Sequence, residues 1–241
     1  MKKPFWIFFL LFWVAFSSAP DAGSARGQKN SCGDWCAGAY WQHLSYAQMR
    51  ADLDNGANPM ARGENGVTPL HFAASKPSQY AKTLLKFGAQ FDVRDENGNQ
   101  PIHFAAINKV DIQTLEIFLD YGANIHAQNQ QGWTPIHWWA ALDGQKAMLP
   151  VLLRNGAAIN ARAYDGKTPL HLAANNVNQK ALMVLAQYGA DPNLVDHSGR
   201  RAEDIIRRNK KLAGATFWQK LQSIWGEMSL HQKSGQENGE K

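Results

Sequence analysis

Apolar residues in the central part of the chain fall into short stripes at helical spacing, and polar turns punctuate them at a fixed interval. Leu84 and Leu85 with Phe87 form one stripe, and Leu115, Phe118 and Leu119 form another. Each predicts a helix with one apolar face. The stripes end on glycines, Gly56, Gly88, Gly122, Gly156 and Gly189, every one followed by Ala. Glycine just past a helix end adopts the left-handed conformation that closes the last turn. An extended stretch such as Ile159-Asn160-Ala161-Arg162 leads on to a turn such as Asp95-Glu96-Asn97-Gly98, where Asn-Gly suits a tight reversal. Thr or Gln then stands where a helix N-cap belongs, followed by Pro at the first helical position, where a missing N–H costs nothing. The predicted unit is a short helix, a turn, a second helix and a long hairpin.

The unit recurs. Thr68-Pro69-Leu70-His71-Phe72-Ala73-Ala74 returns as Gln100-Pro101-Ile102-His103-Phe104-Ala105-Ala106, as Thr134-Pro135-Ile136-His137-Trp138-Trp139-Ala140 and as Thr168-Pro169-Leu170-His171-Leu172-Ala173-Ala174. The blocks start 32, 34 and 34 residues apart, and a degenerate fifth begins 33 later at Arg201. A fixed period of this size means stacked copies of one supersecondary unit. The repeats of this 241-residue chain therefore form one continuous solenoid, its core shared between neighbours.

The repeated block, the Asp-x-x-Gly turn (Asp95 to Gly98, Asp196 to Gly199) and the Gly-Ala-Asn/Asp step (Gly122-Ala123-Asn124, Gly189-Ala190-Asp191) closely resemble the ankyrin repeat. The resemblance implies an all-α repeat solenoid over residues 41–210, with four full or near-full repeats, terminal half-repeats and capping helices at both ends. Ser45 to Asn55 reads as the second helix of an incomplete first repeat. Arg201 to Ile206 reads as a charged terminal helix, as an end repeat with no further neighbour requires. Residues 211–228, with Phe217, Leu221, Ile224 and Met228 at helical spacing, read as a closing helix, the alternative being a membrane-surface helix. Residues 229–241 form a polar tail. Two positions break the pattern: Pro150 inside a second helix, where it should kink or shorten it, and Trp139 in place of a small Ala, where it must open the packing or turn outward.

The N-terminus is of another kind. Lys2 and Lys3 precede an unbroken apolar run from Phe5 to Phe16, followed by small and polar residues to Ala25. This is the layout of a secretory signal peptide over residues 1–25, and the run is shorter than a membrane-spanning helix needs, which makes an uncleaved anchor the alternative. Export to the periplasm or beyond follows, with no membrane span after removal. Loss of Lys2, Lys3 and Asp21 lowers the formal charge from +5 to +4, too mild to indicate a partner. Residues 26–40 carry the only two cysteines, Cys32 and Cys36. In an oxidising compartment these read as a local disulfide, with a redox or metal site as the alternative.

The histidines at a regular period invite a metal or catalytic reading, but stacked helices lie about 8–10 Å apart, so no two of them share an ion. His71, His103, His137 and His171 are expected to hydrogen-bond within their own turns, beside Thr68, Thr134 and Thr168. No nucleophile–base arrangement and no phosphate loop is present; neither catalysis, nor a cofactor, nor a metal is expected. The resemblance places binding at the hairpin tips and the concave face of the first helices. The candidates there are Arg94, Trp133, Leu142, Arg162, Tyr164 and Lys167, with Lys76, Asn108 and Asn176 matching Leu142 in the other repeats. Buried or half-buried Trp, Tyr and Arg are the usual anchors of an interface. The expected function is non-catalytic binding of another protein by a monomeric, exported chain. A secreted effector acting on a host protein is one alternative. A nucleic-acid binder using Arg62, Arg94, Arg162 and the basic cluster from Arg200 to Lys211 is another, weakened by a lack of aromatic stacking rows.

Overall fold

The computed structural model describes residue 35 and residues 38–142, 144–209, 212 and 217–226. The signal segment 1–25, Cys32, Cys36 and the tail 229–241 lie outside the described residues. Within them the chain forms helices only, in pairs: α1 (Gly38–His43) and α2 (Tyr46–Asp54), α3 (Pro69–Ala73) and α4 (Ser78–Lys86), α5 (Pro101–Ala105) and α6 (Gln113–Asp120), α7 (Pro135–Ala141) and α8 (Met148–Arg154), α9 (Pro169–Asn175) and α10 (Gln179–Gln187). The series closes with α11 (Ala202–Arg208) and α12, residues 217–226.

The first helices stack in the order α1, α3, α5, α7, α9, α11, and the second helices α2, α4 and α6 stack beside them. Leu70, Ile102, Ile136 and Leu170, one residue before each histidine, are buried between successive first helices. They join Leu84, Leu115, Leu149 and Leu182 of the second helices in one core running from Trp35 to Leu221. Each unit thus buries its apolar stripe both between its own two helices and against its neighbours, so a lone unit would leave part of that core uncovered.

The N-terminal end is more complete than the sequence suggests. Ser45 caps α2 as expected, its hydroxyl accepting from Gln48 N at 3.2 Å, but a first helix, α1, precedes it. Its Trp41 is 2% exposed and stacks on Phe72 at 5.8 Å between centroids. The Trp41 Nε1–H donates to the Trp35 carbonyl, and the Trp35 Nε1–H donates to the Asn58 carbonyl. This helix lacks the Thr-Pro start that marks the others, so nothing local signals it; packing against α3 creates it. At the other end Asp204 takes the place of the missing histidine, its carboxylate accepting from Arg201 N at 2.9 Å. Leu221 of α12 is buried, and the Arg207 guanidinium lies over the Trp218 ring at 5.3 Å.

Pro150 shortens its helix rather than kinking it. α8 has 7 residues against 9 in α4 and α10, and it starts at Met148, so Pro150 is its third residue. The first-turn N–H groups of a helix have no partner within it, and the proline gives none up. Pro150→Ala is therefore expected to leave stability within about 0.5 kcal/mol. A shift of several degrees in thermal unfolding, in either direction, would contradict this.

Trp139 is the larger departure. It neither turns outward nor pushes the first helices apart; it is 1% exposed and bends the chain around itself. Gly144 and Gln145, in the segment that follows, lie against the indole, whose Nε1–H donates to the Gln145 carbonyl at 2.8 Å. Gly144 crosses the ring so closely that a Cβ there would stand 2.1 Å from Trp139 Cδ1. The α7–α8 connection, residues 142–147, is longer than 74–77 and 176–178; the α5–α6 connection, residues 106–112, is long as well, without a tryptophan at the matching position.

Candidate functional site

Each hairpin tip is fixed first by its own aspartate or asparagine. Asp95 Oδ1 accepts from Asn97 N and Asn99 N, and Asn129 Oδ1 accepts from Gln131 N and Trp133 N. Asp165 and Asp196 do the same for Lys167 and for Ser198 and Arg200. Burial alone would raise the Asp196 carboxyl, but hydrogen bonds from the Arg200 side chain and backbone outweigh it and hold the group below 3.8. Neighbouring tips are then joined to one another. Glu96 N donates to Asn65 O, Gln130 N to Asn97 O, Tyr164 N to Gln131 O and His197 N to Asp165 O, all between 2.8 and 3.0 Å.

The arginines before the turns strengthen these joins. Arg62 Nη1 donates to Arg94 O, Arg94 Nη1 to Gln128 O at 2.7 Å, and Arg162 Nη2 to Val195 O at 2.7 Å. Arg94 and Arg162 are solvent-exposed, yet each guanidinium is tied to the carbonyl of the next hairpin. Sequence reasoning placed them in a binding surface; in the fold they also splice the array.

The histidines do more than fasten their own turns. His71 Nδ1 receives both Thr68 N–H (3.1 Å) and Thr68 Oγ1–H (2.9 Å), as the sequence suggests. An N–H can only donate, so Nδ1 is the acceptor and the ring proton sits on Nε2. That Nε2–H donates to the Asn99 carbonyl of the next repeat at 3.1 Å. His103 joins Trp133 O, His137 joins Lys167 O and His171 joins Arg200 O in the same way. Burial drives the imidazoles below 6.5, to about 4 for His103 and His137. Among the described residues no group of three His, Cys, Asp or Glu could hold a metal ion.

The remaining candidates divide by position. Trp133, half-buried, carries its hairpin's acceptor for His103. Tyr164 is 61% exposed and lies on Gly132, the residue before Trp133: a Cβ at Gly132 would come within 2.6 Å of the ring, and its φ is +76°. Lys167 pairs with Asp165. Leu142 is not with them; it lies beyond the other end of α7, about 10 Å along that helix. Its counterpart Asn108 is no surface residue at all, being 1% exposed and hydrogen-bonded on every side.

An aromatic row escaped the sequence reading. The variable position of the repeated block holds Phe72, Phe104 and Trp138, all half-buried, with Phe104 and Trp138 at 5.1 Å and Trp41 stacked on Phe72. The expectation that aromatic rows are lacking is thereby corrected. Its mark in the sequence is the variable letter inside the repeated block. Three arginines of the basic C-terminal cluster, conversely, are paired: Arg200 with Asp196, Arg201 with Asp204, and Arg207 with Glu203; Lys210 and Lys211 lie outside the described residues.

Comparison with known families bears directly on this geometry. A model of the family "Ankyrin repeats (3 copies)" matches residues 42–129 and 102–196, more than half of the chain. The chain belongs to the ankyrin-repeat family. Ankyrin repeats are generally protein–protein interaction modules, and the all-helical array with hairpins on one side is their solenoid. No curated protein matches the chain. Among the described residues no helix of this ankyrin array is long and apolar enough to cross a membrane.

Proposed function

We propose that the array binds a partner protein, without catalysis, through the hairpins in its middle: Trp133, Tyr164 and the Arg162–Lys167 turn. The observation that carries this reading is Tyr164. A large aromatic side chain stands mostly in water, but its backbone N–H and its contact with Gly132 hold it in place. A pre-positioned aromatic loses little conformational freedom on binding. The pairing of Arg200, Arg201 and Arg207 speaks against a nucleic-acid groove, which needs cations free for phosphates. The four repeat histidines are engaged in hydrogen bonds at both ring nitrogens, which supports binding rather than catalysis.

The reading includes export of the chain to the periplasm or the medium after removal of residues 1–25, a monomeric state and a Cys32–Cys36 disulfide. The basic-then-apolar N-terminus and the cysteine pair support it. Mass spectrometry of the exported protein is expected to give Arg26 as the first residue.

The test of binding is capture of partners from the native compartment by wild-type chain and by Tyr164→Ala. The variant is expected to lose at least tenfold in recovered partner while its thermal unfolding stays within about 3 °C, since an exposed position carries little of the fold. Undiminished recovery by both Tyr164→Ala and Trp133→Ala would place the binding face elsewhere.

A further inference from the structure

One position in the row of splicing arginines holds another residue. Taking the hairpins before α3, α5, α7, α9 and α11 as first to fifth, Arg62 ties the first to the second, Arg94 the second to the third and Arg162 the fourth to the fifth. Arg62 and Arg94 each use one nitrogen for two carbonyls, since Nη1 also donates within its own hairpin, to Gly66 O and Gly98 O. Between the third and fourth hairpins the register gives Gln128, an exposed residue. Its shorter, uncharged side chain makes no bond to the fourth hairpin among the described residues. The second–third joint has a further clamp, Asn129 Nδ2–H donating to Asn99 Oδ1 at 2.8 Å in a buried place. The fourth hairpin has Asp165 at the place of Asn129, and an ionised carboxylate has no hydrogen to donate.

The other contacts across this joint do not replace the arginine. Tyr164 N–H donates to Gln131 O at 3.0 Å, the same bond that its counterparts make at the other joints. The His137 bond to Lys167 O is 3.3 Å, the longest of the four histidine links, against 2.9 to 3.1 Å elsewhere. On the far side α8 stacks closely on neither α6 nor α10, unlike α2, α4 and α6 with one another. The Arg154–Glu116 pair joins α8 to α6, but an exposed ion pair contributes little. The first helices, by contrast, are firm. α7 and α9 pack more extensively than any other pair of the helices described, and Asn178 Nδ2 donates to Ala140 O at 3.1 Å.

We propose that the third–fourth joint is the hinge of the array: its halves turn about the α7–α9 contact, and the hairpins there part more readily than those of the second–third joint. Trp133 stands on one side of this joint and Arg162, Tyr164 and Lys167 on the other. The proposed binding face therefore straddles the hinge, and its two halves move relative to one another. This deepens the reading of that face as the partner site and rests on it for its biological meaning. The physical cause is one charge-assisted hydrogen bond, present at the joints on either side and absent here, in a solenoid held together joint by joint. A uniform array frays from its ends, so an opening in its middle is a property of this sequence.

Amide hydrogen exchange of the free, whole chain tests this with controls built into the repeat. Glu96, Gln130, Tyr164 and His197 donate the same inter-hairpin bond at successive joints, so their protection factors, corrected for intrinsic rate, are directly comparable. Tyr164 is expected to be protected about tenfold less than Gln130, the size of one hydrogen bond to a charged group. Gln128→Arg, a change at an exposed position, supplies the missing guanidinium and is expected to bring Tyr164 to the level of Gln130. In the wild-type chain, protection at Tyr164 within about threefold of Gln130, or above it, overturns the proposal. A low value at Tyr164 that Gln128→Arg leaves unchanged overturns it as well, because the missing splice is then not the cause. No partner enters these measurements, so their failure leaves the Tyr164 capture experiment standing, and the reverse also holds.

Discussion

Trp139→Ala is expected to lower the unfolding free energy by about 4 kcal/mol, the range for emptying a fully buried tryptophan site. Three losses combine. The indole leaves a cavity between α7 and the 142–147 connection, the Gln145 carbonyl loses its donor, and Gly144 loses the surface it crosses. Because a solenoid is stabilised by each unit and its nearest neighbours, the lesion should also divide the array, with the segments on either side of α7 unfolding in separate steps. Urea denaturation followed by far-ultraviolet circular dichroism checks both. A loss below about 1.5 kcal/mol would mean that the connection collapses onto the vacancy and that Trp139 is not its organiser. Gly144→Ala approaches the same contact from the other side and should be destabilising in the same repeat.

Asn108→Ala is expected to cost about 3 kcal/mol. Its Nδ2 donates to Ala74 O at 2.9 Å and to Lys76 O at 3.0 Å, and its Oδ1 accepts from Val110 N and Asp111 N. Alanine takes the side-chain donor from Ala74 O, leaves Lys76 O with the Thr114 hydroxyl alone, and removes the acceptor of two N–H groups of the next repeat, at about 1–3 kcal/mol for each group that water cannot reach. The neighbouring Asp111 depends on this geometry, since its carboxylate caps α4 of the preceding repeat through Ser78 N at 2.8 Å. The loss should therefore extend to α4, visible as faster amide exchange at Tyr80 to Leu84. Exchange confined to the 106–112 connection, with a stability change under 1 kcal/mol, would show that water replaces the amide.

These two residues also show where reading the sequence succeeds and where it stops. Asn108 shares its place in the repeat with Leu142, and by register both belong to the exposed end of a first helix. Register is a one-dimensional statement; whether the position faces water depends on what the side chain there can bond. The Asn108 amide donates to Ala74 O and Lys76 O of the preceding repeat and is buried by it, which a leucine cannot do. Trp139 was legible as an anomaly, because no residue of its size fits the place of an alanine, but its resolution came from a glycine five residues away. Arg94 and Arg162 were recognisable as a periodic pair. Their bonds to the next hairpin were not, since acceptor carbonyls more than thirty residues away leave no mark in composition.

What the sequence determined by itself is everything that repeats: the helix pairs, their caps, the prolines at helix starts and the order of stacking. Local backbone preferences and a fixed period suffice for these, because each unit meets the same neighbour in the same way. What only the tertiary structure decided is whatever one unit does to the next: the added helix α1, the second hydrogen bond of each histidine, the burial of Asn108 and the exposure of Tyr164. Those depend on distances between residues about thirty positions apart, and such distances exist only once the units have stacked.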